Sequence, residues 1–296
     1  MTTPDATLAG GMQIGPARFV WGARTYIMGI VNTSPESFSG DGLASVEAAL
    51  LVAVQMATGG ADILDIGGQS TRPGAKKTEA GFDEITPDEE IRRVVPLIER
   101  LRAELPLMPL SIDTYKPEVA KAALAAGAHL LNDIYGFCRD PELARIAAAA
   151  GTPAIVMHNQ RLKRESSHSR DVITVADAIS RGLRESMAIA DAAGLPASKL
   201  IADPGFGFGW TADQNIEMLR RLGEMRALGL PLLVGTSRKS TIGSILGDVP
   251  VDQREFGTAA TVALAIAGGA DIVRVHDVAA MKQVALVADA IIRGEG

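Results

Sequence analysis

YIMGIVNTSPESFSGDG, residues 26–42, runs from an apolar stretch at 26–31 into a polar loop that is headed by Asn32 and punctuated by Gly40 and Gly42. Alone, it reads as an ordinary strand leading into a helix, because Ser, Pro and Gly supply turn geometry. The same event recurs along the chain. After YIMGIV (26–31) come DILDIG (62–67), PLSID (109–113), HLLNDI (129–134), AIVMH (154–158), KLIADPG (199–205), PLLVGTS (231–237) and DIVRVHD (271–277). That makes eight candidate strands.

Longer segments of helical character lie between them, among them TPDEEIRRVVPLIERLRAE, KPEVAKAALAAG, DPELARIAAAAG, TADQNIEMLRRLGEMRALG and FGTAATVALAIAGG. Many end in Gly, as left-handed caps require, and several begin at Thr, Ser or Asp. Apolar runs without alternation imply strands buried on both faces, and intervening helices imply parallel crossovers. Eight such units predict an α/β protein of the closed (β/α)8 class, the TIM barrel. An open doubly wound sheet is the alternative, weakened because no GxGxxG opens a helix after the first strand. No composition break divides the chain. It reads as a single domain spanning 1–296, with its core from about 25 to 292 and residues 1–16 as an N-terminal extension. NQRLKRESSHSRDV, residues 159–172, reads as a loop or lid after the fifth strand.

Of the 296 residues, 47% are hydrophobic, enough for a large core, and the net charge of −6 leaves no basic stripe for nucleic acid. Cys138 is the one cysteine, which excludes an intramolecular disulfide and reads as a small hydrophobe rather than a catalytic thiol. The first residues lack a basic segment followed by an apolar one, and no run of about 18 apolar residues occurs. The expectation is a soluble cytoplasmic protein with no membrane partner.

In a barrel of this class the C-terminal strand ends converge on one mouth. Here they carry Asn32, Ser70-Thr71-Arg72, Asp113, Asn132, Met157-His158, Asp203, Ser237-Arg238-Lys239 and Arg274-Val275-His276. Each polar residue alone reads equally as a cap on the next helix. Eight helix caps, however, do not call for cations such as Arg72, Lys239, Arg274 and His276. Asp113, Asn132 and Asp203 suit a flat heterocycle bearing N–H donors, while Arg72, Lys239, Arg274 and His276 suit an oxyanion. A heterocycle on one side and an anion on the other fit group transfer with a pyrophosphate leaving group.

The segments MGIVNTSPESFSGDG, DIGGQSTRPGA, SIDTYKPEVAKAALAAGAHLLNDIYG, IADPGFGFG, LLVGTSRKSTIG and GTAATVALAIAGGADIVRVHDV resemble, in order, those of the dihydropteroate synthase family. The resemblance covers about Met28 to Ile291. It implies a TIM-type barrel, usually a homodimer, that condenses 6-hydroxymethyl-7,8-dihydropterin diphosphate with 4-aminobenzoate in folate synthesis. In that family magnesium assists the leaving group, and sulfonamides occupy the aminobenzoate site.

Position by position, the resemblance assigns Asp113, Asn132, Asp203 and Lys239 to the pterin ring, with Ile134, Met157 and Phe208 as apolar walls. It places Arg274 over one face and, with His276 and Asn32, on the diphosphate. Asn32 is also the implied magnesium ligand. Thr71, Arg72 and Ser240 would surround the aminobenzoate, with Pro73 and Phe206 as neighbours. Core packing alone is the other reading of Ile134, Met157, Phe206 and Phe208. Asp113, Asp203, Lys239 and Arg274 would carry the chemistry. Lys239 acts electrostatically, because a Schiff base needs a carbonyl substrate. The late helices, where GTAATVALAIAGG is rich in apolar residues, are the expected dimer surface.

The chain departs from the family pattern at Thr33 and Glu36, at Asp41, where the first-loop carboxylate is shifted by one residue, at Gln69 in place of Glu, and at Trp210 in place of Lys. Two other functions fit parts of the ring. A methyltetrahydrofolate-to-corrinoid methyltransferase shares the pterin-holding Asp and Asn but needs no cation cluster. A pterin-binding module without catalysis would keep the pocket alone.

Overall fold

The computed structural model describes residues 10–33, 42–69, 84–163 and 174–294. An antiparallel hairpin, β1 (Gly11–Ile14) and β2 (Ala17–Val20), precedes eight parallel strands. These are β3 (Tyr26–Asn32), β4 (Ile63–Gly67), β5 (Leu110–Asp113), β6 (Leu130–Asp133), β7 (Ala154–Met157), β8 (Leu200–Asp203), β9 (Leu233–Val234) and β10 (Ile272–Val275). Their spatial order is β8-β7-β6-β5-β4-β3-β10-β9, and a parallel bridge between Ala202 and Leu232 brings the two edges together. The sheet is thus a nearly closed barrel, and each of its strands falls on a run expected from the sequence, with β3 extending one residue beyond its run to Asn32.

The helices are α1 (Gly42–Thr58), α2 (Pro87–Glu104), α3 (Pro117–Ala125), α4 (Glu142–Ala150), α5 (Gln160–Lys163), α6 (Val175–Ala192), α7 (Ala212–Arg220), α8 (Ser240–Ile245), α9 (Glu255–Ala267) and α10 (Val278–Ile292). Their starts follow local chemistry. Thr86 caps α2 by accepting the Glu89 N–H, and Thr211 and Gln214 form a reciprocal capping box on α7. TADQNIEMLRRLGEMRALG does not form one helix. α7 stops at Arg220, and a 3₁₀ segment from Leu222 to Leu228 follows, with Gly223, a poor helix former, at the change. α5 occupies the start of the segment read as a loop from 159 to 172, whose remainder from 164 lies outside the described residues.

Strand parity separates two cores. Outward-facing Ile27, Leu64, Ile66, Ile112, Leu131, Val156, Leu200, Val234 and Val273 pack against the helices. Inward-facing Met28, Ile63, Leu130, Ile155, Ile201, Leu233 and Ile272 form an apolar floor. The floor is completed by Met12, Ile14, Phe19 and Trp21 of the hairpin region, with Tyr26. The core therefore begins near residue 11 rather than 25, and the chain before residue 16 is in part structural. Without the hairpin, the lower ends of seven inward side chains would face water.

Two residues beyond the floor on the same inward parity stand Asp65, Asn132, Asp203 and Arg274. The polar layer thus lies directly above the apolar one. Phe19 is 1% exposed, with its ring 4.6 Å from Tyr26 and 5.9 Å from Trp21. Phe19→Ala is expected to lower the unfolding free energy by about 3 to 5 kcal/mol in denaturant titrations. A dispensable extension would give a loss near zero.

Candidate active site

Arg274 lies across the mouth, its Nε donating to Asp65 Oδ2 at 2.6 Å and its Nη2 to Asp113 Oδ2 at 2.7 Å. Asn132 Nδ2 donates to the same Asp65 oxygen at 3.0 Å. Asp65 is fully buried and joins β4 to β6 on one side and to β10 on the other. Burial raises the Asp113 carboxyl above its ordinary range, with Arg274 opposing and Asp65 adding to the shift. Sequence reading missed Asp65, because it sits inside the apolar run DILDIG. Its parity with Gly67 at the strand end was the available signal.

The second group is Asp203 and Lys239. Lys239 Nζ donates to the Phe206 carbonyl and stands 4.7 Å from the Phe208 ring centroid and 5.9 Å from that of Phe206. Burial lowers the ammonium to about 8, while Asp203 opposes the shift and Arg274 and Arg161 add to it. Burial raises Asp203; Lys239 and the Gly205 N–H, which donates to Oδ1 at 2.8 Å, hold it down. The two groups sense each other, since Arg274 acts on both Asp203 and Lys239.

Buried Ile134 and Met157 pack with Tyr115 and Tyr135, and Phe208 closes that cluster from the side. The structure thus gathers the three expected apolar walls. Tyr115 and Tyr135 meet edge to face at 5.3 Å, with the Arg139 guanidinium 4.4 Å from the Tyr115 centroid; none of the three was a site residue expected from the sequence. Asp133, next to Asn132, faces the other way and accepts the N–H groups of Tyr135 and Phe137, which orders the turn carrying Ile134. Phe206 is 1% exposed and belongs to the helix-side core, so its main-chain carbonyl rather than an open ring face meets Lys239.

On the rim, Ser237 Oγ lies 2.9 Å from His276 Nδ1 and accepts the His276 N–H at 3.2 Å. Ser240 is exposed at the first residue of α8. Asn32 ends β3, level with Gly67 of β4 and Asp113 of β5 in the register. A β-carbon at Gly67 would stand 3.8 Å from Asn32 Oδ1 and 3.9 Å from Asp113 Oδ2, so glycine leaves the gap between these oxygens open. Thr71, Arg72 and Pro73, with Glu36 and Asp41, lie outside the described residues. Among the described residues, no three His, Cys, Asp or Glu side chains gather as a metal cage, and no helix is long and apolar enough to cross a membrane.

The sequence profile of the pterin binding enzymes matches residues 28–276. A dihydropteroate synthase of Synechocystis is 46% identical over 283 residues, 95% of each chain. Among solved structures, a dihydropteroate synthase from Clostridium difficile, crystallised in the presence of pteroic acid, is 42% identical with a TM-score of 0.85. The match covers 93% of this chain and 99% of that one. The Xanthomonas albilineans dihydropteroate synthase with 4-aminobenzoic acid is 39% identical, also with a TM-score of 0.85, and covers 98% of both chains.

Two departures from the family pattern have a local explanation. Trp210 packs toward His158 at 5.6 Å between ring centroids, and Arg161 adds a second cation near Phe208, at 5.5 Å. Gln69 accepts from Lys116 Nζ at 2.6 Å and from the Ile85 N–H at 3.2 Å, while its own Nε2 donates to Tyr115 Oη at 3.0 Å. Lys116 is already neutralised by buried Glu90 at 2.6 Å, so a neutral acceptor at 69 completes its shell. Lys116→Met strands the Glu90 charge and is expected to cost about 3 to 5 kcal/mol in chemical denaturation. Adding Glu90→Leu should return most of that loss, and a double variant as unstable as the single would refute the pairing.

Proposed function

The chain belongs to the dihydropteroate synthases within the pterin binding enzyme family, and from that premise we propose how its own residues condense 6-hydroxymethyl-7,8-dihydropterin diphosphate with 4-aminobenzoate. The products are 7,8-dihydropteroate and diphosphate, which makes the protein a transferase. The reading rests on one observation above the rest: three acceptor side chains and two cations converge over an apolar floor at one end of the barrel.

Asp113, Asn132 and Asp203 take the N–H donors of the pterin edge, and the Lys239 ammonium donates to a ring acceptor. Ile134, Met157 and Phe208 pack against the ring, and the Arg274 guanidinium lies over one face. Arg274, His276 and Asn32 hold the diphosphate, a set of donors suited to an oxyanion. Ser240, exposed at the start of α8, is assigned to the aminobenzoate, as the family pattern also assigns Thr71, Arg72 and Pro73, which lie outside the described residues; Phe206, buried in the helix-side core, contributes through its carbonyl to Lys239. Breaking the methylene C–O bond sends its electron pair away with the diphosphate and leaves a cationic carbon conjugated to the pterin. The carboxylates of Asp203 and Asp113 stabilise that charge as it develops, in a site largely screened from water. The neutral arylamine then attacks through its lone pair, and the proton it loses passes to the departing diphosphate or solvent. No strong base is required.

Magnesium fits this site as an ion brought with the diphosphate. The Asn32 amide oxygen is a hard donor beside the Asp113 carboxylate, and magnesium commonly takes one or two protein oxygens, the rest being phosphate and water. Asn32 would hold it, and the ion would neutralise charge on the leaving group.

We also assign a second copy of the chain to the late helices. Phe256 and Leu264 of α9 and Leu286, Val287 and Ile291 of α10 are each more than half exposed, and the two helices pack side by side. With a single cysteine and an acidic net charge, a cytoplasmic homodimer without nucleic-acid partners is the fitting form.

Diphosphate release that requires both the pterin substrate and aminobenzoate tests the reaction. Lys239→Ala and Asp203→Ala should each reduce turnover by at least about a hundredfold with the fold intact by circular dichroism; near-wild-type rates would remove the assigned roles. Because the Lys239 ammonium is lowered to about 8, it is protonated and donating below that pH. Thus kcat/KM for the pterin substrate should fall as pH rises through about 8, and Lys239→Arg should move the fall upward by more than one pH unit. A profile identical in that variant would exclude Lys239 as its source. For the dimer, Phe256→Glu combined with Ile291→Glu should give a monomer mass in light scattering.

A further inference from the structure

Asn132 reaches the polar layer with its amide orientation already decided. Amide oxygen and nitrogen exchange places easily, so an asparagine facing a ligand reads either a donor or an acceptor unless something fixes it. Asp65 fixes it here. An ionised carboxylate has no proton to give, and Asp65, paired to Arg274 at 2.6 Å, accepts Asn132 Nδ2 at 3.0 Å. Both groups are buried, at 0% and 5% exposure, so water does not substitute for either partner. Turning the amide over would place its oxygen against the carboxylate and leave the –NH₂ group without this acceptor.

We propose that Asp65 is a positioning residue that fixes the Asn132 amide, holding Oδ1 toward the pterin as an acceptor while one Nδ2 hydrogen stays on Asp65, so that the ring edge facing Oδ1 is selected for an N–H donor. The inference rests on the placement of the pterin given above and adds the element that sets its polarity. With Asp113 and Asp203, it presents acceptor oxygens from β5, β6 and β8 toward the pterin edge. A heterocycle with a bare ring nitrogen at that edge meets lone pair against lone pair and is rejected, which is the more discriminating kind of recognition.

A competing explanation is that Asp65 serves only as a counter-ion for Arg274. Transposing the two side chains separates these. In Asp65→Asn the oxygen shared by Arg274 and Asn132 is neutral and can exchange with an –NH₂ group, so it holds the Asn132 amide less firmly. In Asp65→Asn/Asn132→Asp the charge of the pair is conserved, and position 132 is an acceptor without any lock.

The probe is 6-hydroxymethyl-7,8-dihydropterin, which lacks diphosphate, titrated calorimetrically into the full-length protein. Asp65→Asn should weaken binding by about tenfold or more, and the transposed double variant should return to within about threefold of wild type, with KM for 4-aminobenzoate unchanged in both. Asn132→Asp alone sets two carboxylates together and should bind more weakly than the double variant. That comparison stands even where Asp65→Asn fails to fold. Wild-type affinity in Asp65→Asn, or a folded double variant no tighter than both single variants, overturns the proposal. If wild type does not bind the probe, or Asn132→Ala binds it equally well, the pterin placement itself falls and this inference falls with it.

Discussion

Asp65 and Asp113 share the guanidinium of Arg274 through two hydrogen bonds of 2.6 and 2.7 Å, at the point where the apolar interior of the barrel gives way to its polar mouth. Burying three such charges costs several kcal/mol per ion before pairing, and the pairing must offset it. The balance is not neutral. Asp65, Asp113 and Asp203 face Arg274 and Lys239, which leaves one net negative charge in the layer once Asp113, raised by burial to about 7, is ionised. A site of that sign repels a resting anion but favours a cationic carbon as it forms, so part of the binding energy is reserved for the transition state. The rim, with His276 and Asn32, is then where the diphosphate of the substrate is accommodated.

That charge arrangement depends on the floor below it. Inward side chains on β3, β4, β6, β7, β8, β9 and β10 form the apolar layer, and on β4, β6, β8 and β10 the inward side chain two residues further on supplies the polar layer. Water entering from the closed end would raise the local dielectric and weaken each interaction above. The hairpin prevents this by placing Phe19 and Trp21 under Tyr26 and the floor. A segment remote from the mouth thus supports its electrostatics.

The barrel strands were legible because they are buried on both faces, which leaves an unbroken apolar run in the sequence. The residues at their ends were legible as a set, since a carboxylate, an amide and cations recurring at one end of successive strands have no common structural reason. What escaped notice shares a different cause. Asp65 lies within an apolar run and declares itself only through parity. The hairpin alternates over four residues per strand, too short to stand out from a turn-rich terminus. Lys116, Glu90 and Gln69 form one buried network, yet are separated by 26 and 47 residues, and only the fold brings them within 2.6 Å. Phe206 was expected beside the aminobenzoate or in the core, and its ring is buried in the helix-side core while Phe208 lies with Ile134 and Met157.

The separation of those two phenylalanines explains the repeated glycines in IADPGFGFG. Gly205 has φ +77, and a β-carbon there would lie 1.9 Å from the His158 carbonyl oxygen, so neither the conformation nor the space admits another residue. Gly207 has φ +83, and a β-carbon would meet Lys239 Cδ at 2.9 Å. The first glycine lets the chain turn off β8 against β7, burying Phe206 in the helix-side core. The second opens a channel for the Lys239 stem, whose ammonium then ends between the Phe206 carbonyl and the Phe208 ring. Lowering of the lysine follows from that enclosure, because the same close approach that seats the stem removes water from its head. The motif thus sets the protonation of Lys239 through backbone geometry, and neither glycine touches the charge it controls.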